Sequence, residues 1–197
     1  MLEHYLGEKV LKKGLQVYLK KFAYKNASTR DLWHVLEKVS GKPVRAIMAS
    51  YTDQPGYPIL KVCESGASKI QISQERFRLD GSRDKKHTLW KVPLVIRSQA
   101  SEKPWVGLLD KTSAAVDLGP GARGWVKVNP AQSGFYRVAY SKPMNDRLVG
   151  ALKERSLPDP VIDALGLLSD AQALARAGHG ETSRVLELAL ALKDGRE

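Results

Sequence analysis

The spacing of apolar residues changes twice along this chain, from a helical period to an alternating one near residue 58 and back to a helical one after residue 141. In the first stretch Leu11, Leu15, Tyr18, Leu19 and Phe22 form one helical stripe, with Lys12, Lys13, Lys20 and Lys21 off that face. Leu32, Val35, Leu36 and Val39 recur at i, i+3, i+4 and i+7, which predicts a further helix with Thr29 as its N-cap. Gly41 is placed to stop that helix, because glycine takes the left-handed conformation at little cost, and Pro43 falls where the next helix would have its N1 position. This next helix carries Val44, Ile47, Met48 and Tyr51 on its apolar face. It must end between Gln54 and Pro58, where two prolines disfavour helix in the residues before them.

The middle of the chain predicts strands at 59–63, 68–79, 89–96, 105–109, 113–118, 125–128 and 135–140. Most alternate apolar and polar residues, as Ile70 and Ile72 do, or Val126 and Val128, so each would bury one face and wet the other. The intervening segments 80–86, 101–104 and 119–124 are loops by composition. Seven short strands separated by turn residues predict an antiparallel β-sandwich. Helical spacing then returns. Asp159 is a cap before an N1 proline, Pro160; Val161, Leu165, Leu168 and Leu174 supply much of an apolar face; and Gly178 ends the run. Thr182 can cap a last helix bearing Leu186 and Leu190.

Several runs carry a family resemblance. Tyr51, Gln54, Gly56, Tyr57 and Pro58 match a W-x-x-Q-x-G-[YF]-P signature, with Tyr51 in place of Trp. The opening segment from Met1 to Leu19 is similar to M-L-x-x-x-L-G-x-x-x-F-x-x-G-L-x-x-Y-L, with Val10 or Leu11 near the Phe. Downstream, ISQERF resembles [LI]-x-Q-x-R-F and LWKVPL resembles W-x-[VI]-P-[LIV]. The most specific match is WVKVNPAQSGFYRVAY to W-[VI]-K-x-N-x-x-x-x-G-[FY]-Y-R-V-x-Y. Finally, Asp163, Gly166, Leu167, Asp170, Leu174, Ala175, Ala177 and Gly178 match D-R-x-G-L-x-x-D-x-x-x-L-A-x-A-G, where Ala164 replaces the Arg and bears on one ion pair at a domain junction. These motifs, in this order, resemble those of the gluzincin zinc aminopeptidases of the puromycin-sensitive type.

The resemblance implies an α+β chain in three parts. Residues 1–56 would be the closing helices of the peptidase domain, 57–141 a β-sandwich, and 142–197 the first helices of an α-helical repeat domain. It implies a non-catalytic fragment of an enzyme that, at full length, removes N-terminal residues from peptides, with the sandwich as a spacer. A stand-alone binding module derived from such an enzyme is the alternative. The partners implied are the missing peptidase domain and the remainder of the helical domain, with peptide and zinc belonging to the full-length parent only. Met1 would lie inside a helix of the parent, as a truncation or a partial gene would produce.

The catalytic chemistry of that family is not encoded in these residues. A zinc peptidase of this class needs H-E-x-x-H, so that two histidines face one metal while the glutamate activates its water, plus a distal Glu ligand. The histidines are His4, His34, His87 and His179, and no two stand four apart. The G-[AG]-M-E-N motif is absent as well, and Tyr5 is not the family's oxyanion tyrosine, which would precede Met1. The expectation is therefore no catalytic, cofactor-binding or metal-ligating residue in this chain.

Other features yield bland readings. The chain has 197 residues, 43% of them hydrophobic, enough for a core, yet helical repeats need about three units to be stable. The sandwich alone is expected to fold by itself, and apolar stripes on the helical ends should stay exposed. A net charge of +11 suggests anionic partners. However, Lys12 with Lys13, Lys20 with Lys21, and Arg83 with Lys85 and Lys86 are short dispersed groups without interleaved aromatics, so no nucleic acid is expected. Gly119, Gly121 and Gly124 lack a following G-K-[ST] and read as a turn. Ser82, Asp84 and His87 have triad residue types but sit in one loop. Trp33, Trp90, Trp105 and Trp125 read as core or interface residues. A single Cys63 allows no internal disulfide, and no signal or membrane span is visible, which points to a cytoplasmic location.

Overall fold

A computed structural model describes residues 1–82, 84–119 and 123–193. Four helices open the chain: α1 (Leu2–Leu6), α2 (Glu8–Lys21), α3 (Thr29–Ser40) and α4 (Val44–Thr52). Seven strands follow, β1 (Pro58–Glu64), β2 (Lys69–Arg76), β3 (Val92–Ser98), β4 (Ser101–Leu109), β5 (Ser113–Asp117), β6 (Val126–Val128) and β7 (Arg137–Tyr140), with a 3-10 turn at Pro130–Gln132. Three helices, α5 (Lys142–Lys153), α6 (Pro160–Arg176) and α7 (Thr182–Lys193), complete it. The fold is α+β, as the periodicities predict.

The helix caps differ in detail from the sequence reading. Ser28, not Thr29, caps α3, in a reciprocal box: its side chain accepts from the Asp31 N–H while the Asp31 carboxylate accepts from the Ser28 N–H. Ser wins because one residue of extended backbone must precede the first turn, and Thr29 already has helical geometry. Pro43 is likewise the N-cap of α4 rather than its N1 residue. Thr182 is the first residue of α7, not its cap. Gly41 does close α3 in the left-handed conformation (φ 67°).

The predicted α2 stripe is mostly not the buried face. Leu15 and Leu19 are exposed, and the fully buried residue of α2 is Gly14, against which Leu36 of α3 packs. A glycine at the crossing lets the two helices approach where a larger residue would hold them apart.

The strands form two sheets, ordered β5-β2-β1-β7 and β4-β3-β6. All pairs are antiparallel except β1 with β7, which run parallel from Ile59 opposite Arg137 to Val62 opposite Tyr140. Antiparallel neighbours accept a hairpin, whereas β7 returns to β1 only after the chain has visited the other sheet, so its direction follows the long connection. Between the sheets lie Leu60, Val62, Ile70, Ile72, Trp90, Val92, Leu94, Ile96, Val126 and Val128. Tyr51 of α4 packs into this core and into that of the opening helices, where Tyr5, Leu6, Leu36, Val44 and Ile47 are buried. A third core joins Trp125 to Leu148, Leu152, Ala164, Leu167 and Leu188.

Candidate functional site

The signature segment of residues 125–140 forms a knuckle from β6 through the 3-10 turn to β7, and nearly every signature residue has a partner there. Tyr140 Oη donates to Val128 O and accepts from Val128 N, at 3.0 and 2.9 Å, closing the two strands on each other. Asn129 sits at φ 61° and its side chain accepts from Gly134 N and donates to Gly134 O. Gly134 is required because a Cβ there would overlap the Tyr136 ring.

Two carboxylates of α6 reach into this knuckle. Asp163 is fully buried, pairs with the Lys127 ammonium at 3.5 Å and accepts from Ala131 N at 2.8 Å. Lys127, 1% exposed, also donates to Val128 O and Asn129 O. Asp170 pairs with Arg137 at 3.1 Å and accepts from Val138 N at 3.2 Å, while Arg137 also donates to Ser169 Oγ. Burial pushes Lys127 down, opposed by Asp163 and Asp170, and raises Asp170 to about 6 although Arg137 favours its charged form. Ala164, in place of the Arg, is buried in the helical core and takes no part. Gly166 lies against the Gln132 amide, so α6 and the turn touch without an intervening side chain.

Further ties join the other side of the sandwich. Gln74, the glutamine of ISQERF, is buried; its amide donates to Trp90 O and Lys111 O and accepts from Trp90 N, all at 2.9 Å. Gln54 donates to Leu89 O, and Ser50 Oγ accepts from Lys91 N, linking α4 and its exit to the approach of β3. These polar side chains escaped sequence reasoning as contact residues. Their only signal was a polar residue at an apolar-register position, or in the case of Asp163 and Asp170 two acids seven apart on an apolar helix.

The residues weighed in the sequence fall apart in space. His4 and His34 are exposed on α1 and α3, His87 is exposed in a loop, and the His179 ring lies 6.4 Å from that of Phe77. Tyr5 is a core residue with the Lys42 ammonium 4.2 Å from its ring centroid. Asp84 accepts from the backbone of Lys86 and Thr88, whereas Ser82 bonds Asp80 and Arg78, so no Ser-His-Asp relay exists among the described residues. Gly119 N donates to Asp117 and Gly124 O accepts from Arg147 of α5, while residues 120–122 between those glycines, Gly121 included, and Arg83 lie outside the described residues. Trp90 fills the sandwich and Trp125 the helical core, while Trp33 and Trp105 are half-buried. Among the described residues no group of three or more His, Cys, Asp or Glu side chains is placed to hold a metal ion, so these donors do not fit a zinc site. No helix among them is long and apolar enough to cross a membrane.

Residues 1–51 match the peptidase family M1 domain, and residues 125–197, beginning at the knuckle itself, match the ERAP1-like C-terminal domain. The chain belongs to the M1 aminopeptidase family. It is 37% identical to a puromycin-sensitive aminopeptidase of Caenorhabditis elegans over 96% of this chain and 20% of that protein. It is 36% identical to aminopeptidase M1 of Arabidopsis thaliana, covering 98% of this chain and 23% of the relative. It is 35% identical to the tricorn protease-interacting factor F2 of Thermoplasma volcanium, over 95% and 22% respectively. The chain thus spans about a fifth of the length of these M1 relatives.

Proposed function

We propose that this M1 segment is a non-catalytic connector that fixes the direction in which a helical domain leaves a β-sandwich. In this reading residues 1–56 belong with a peptidase domain, 57–141 form the sandwich and 142–197 begin the helical domain. The observation that carries it is the pair of α6 carboxylates, each gripping one cation and one backbone N–H of the sandwich. A buried ion pair is a poor source of net stability but a demanding source of geometry, because charge left unpaired in the core is strongly penalised. Rotation or sliding of α6 would separate both pairs at once.

The exposed apolar residues suit the same reading. Leu15 and Leu19 on α2, Val161 and Leu165 on α6, and Leu186 and Leu190 on α7 are exposed. In a longer M1 protein they would be covered, the first set by the peptidase domain and the second by further helices. Aminopeptidase action, zinc and peptide substrate belong to that longer protein. Exposed Cys63, the only cysteine, supports a reducing compartment such as the cytoplasm.

The test measures the distance between two spin labels, one on Cys63 in β1 and one on a Leu190→Cys variant in α7. A single narrow distribution is expected, broadened by Lys127→Met; a broad distribution in the parent chain would overturn the connector role. Purified chain supplied with zinc is expected to release no N-terminal residue from an aminoacyl naphthylamide. Chelator-sensitive turnover would overturn its non-catalytic status.

A further inference from the structure

The outer side of α2 carries a charge pattern that sequence order conceals. The helix holds five lysines, Lys9, Lys12, Lys13, Lys20 and Lys21, and a single acid, Glu8. At about 100° per residue, Lys9, Lys12, Lys13 and Lys20 fall within an arc of about 100° that runs about 16 Å along the axis. Gln16 is at the centre of that arc, and Gly14, which packs against Leu36 of α3, is nearly opposite. Lysines that stand as separated groups in the sequence therefore share one outward face.

The chain supplies no counter-charge to this face. All four lysines are exposed, and none makes an ion pair among the described residues. Glu8 falls outside the arc, on the side of Leu15. Lys21 falls outside it as well, with its ammonium 5.1 Å from the centroid of the Phe22 ring. What remains is a convex band of four ammonium groups around one exposed amide, with no arginine and no aromatic residue inside it.

The shape and chemistry of the band favour one kind of partner. A lysine ammonium is a hydrated point charge on a flexible stem and lacks the fork by which arginine fixes a single carboxylate or phosphate. A convex face has no walls to enclose a small ligand, and the stacking platforms used on single-stranded nucleic acid are absent. A nucleic-acid duplex is itself a convex rod, so the two surfaces would meet over a short length. A bilayer is planar and its charged lipids move laterally, so all four lysines can meet negative charge at once.

We propose that α2 lies flat on an anionic phospholipid bilayer, held by Lys9, Lys12, Lys13 and Lys20. Each lysine near such a surface contributes about fivefold to partitioning, so the four together favour an anionic over a neutral bilayer by roughly a thousandfold. The band is about a quarter turn from the flank of Leu15 and Leu19, so a peptidase domain covering that flank would leave the lysines facing outward. The inference is independent of the connector role, which concerns α6 and the sandwich.

The experiment is co-sedimentation of the 197-residue chain with vesicles of phosphatidylcholine and phosphatidylserine in equal parts, and with vesicles of phosphatidylcholine alone. Binding to the mixed vesicles is expected to be at least about a hundredfold tighter than to the neutral ones. It should be lost at about 1 M salt, where the screening length falls from about 10 to about 3 Å. Lys12→Gln with Lys20→Gln should weaken it about 25-fold. Lys85→Gln with Lys86→Gln removes the same charge from an exposed loop and should change it by less than about twofold. All four positions are exposed, so neither variant disturbs the core. Equal binding to both kinds of vesicle would assign adsorption to exposed apolar residues and overturn the proposal. So would equal losses in the two double variants, which would assign it to net charge, or retention at high salt. Absence of binding to the mixed vesicles overturns it too, including the case in which duplex DNA takes the same lysines instead.

Discussion

Asp163 and Asp170 occupy one face of α6 two turns apart, and each holds one cation and one backbone N–H of the segment running from β6 to β7. Seven residues of helix place them about 10 Å apart along the axis, which is enough to fix both the position and the tilt of α6. Neither contact alone would do this. One pair defines a pivot, and two define a direction.

Removing Lys127 should be more damaging than removing both members of its pair. Lys127→Met leaves the Asp163 charge buried without its cation, and a loss of about 3–5 kcal/mol is expected. Lys127→Met with Asp163→Asn removes the charge while keeping an oxygen for Ala131 N, and should recover a large part. Urea unfolding of parent, single and double variants measures both. Equal stability of the two variants would show that Asp163 is not stranded.

The Asp170 carboxyl sets a pH dependence whose sign follows from its environment. Burial raises its pKa from 3.8 to about 6, outweighing the pull of Arg137 from β7, Lys127 from β6 and the Val138 N–H. Between those values the folded chain holds a proton that the unfolded chain has released, so this group makes stability fall as pH rises from about 4 to about 6. The whole effect is roughly 3 kcal/mol at most, because a tenfold change in proton affinity is worth about 1.4 kcal/mol. Asp170→Asn should flatten that portion of the curve of unfolding free energy against pH. An unchanged slope would assign the dependence elsewhere.

Gly166 is the point where α6 and the 3-10 turn meet most closely. A Cβ there would overlap the Gln132 side chain from its Cγ to its buried amide nitrogen, so the whole side chain would have to leave the contact. Gly166→Ala should destabilise the chain by about 1–3 kcal/mol through overpacking. Gly166→Ala with Gln132→Ala should regain most of it, a coupling that a double-mutant cycle in thermal unfolding reads directly.

At the other end of the chain, Ser28→Ala removes the acceptor of the Asp31 N–H and should cost about 1 kcal/mol, whereas Thr29→Ala should change stability by less than about 0.5 kcal/mol. Reversal of that order in denaturant midpoints would return the cap to Thr29.

Most strands were legible from alternation, but residues 101–104, read as a loop, open β4, and β6 is buried on both faces, Lys127 included, because α6 covers what would have been its wet side. Ile70, Ile72, Val126 and Val128 all face the core that their register places them on. Gly41 was legible because a left-handed residue has few alternatives to glycine. Ser28 and Thr29 were not separable, since both side chains can cap and only backbone geometry decides which does. On α2, Leu15 and Leu19 have the right period and are exposed, as expected of apolar stripes on the helical ends, whereas the burial of Gly14 against Leu36 was not readable from period alone. The knuckle was visible as a motif of high specificity. Its use was not, because Lys127 and Arg137 gain meaning only from carboxylates 36 and 33 residues away on another element.

The order of helices and strands, the absence of an H-E-x-x-H zinc motif and the M1 resemblance could all be read from the chain as written, because each rests on residues near one another in it. Which apolar faces are covered, that β7 runs parallel to β1, and that the sandwich grips Asp163 and Asp170 were settled by folding. These depend on distances between segments far apart in sequence. Local spacing records which side of an element a residue occupies, while the energy of a buried charge depends on what lies opposite it.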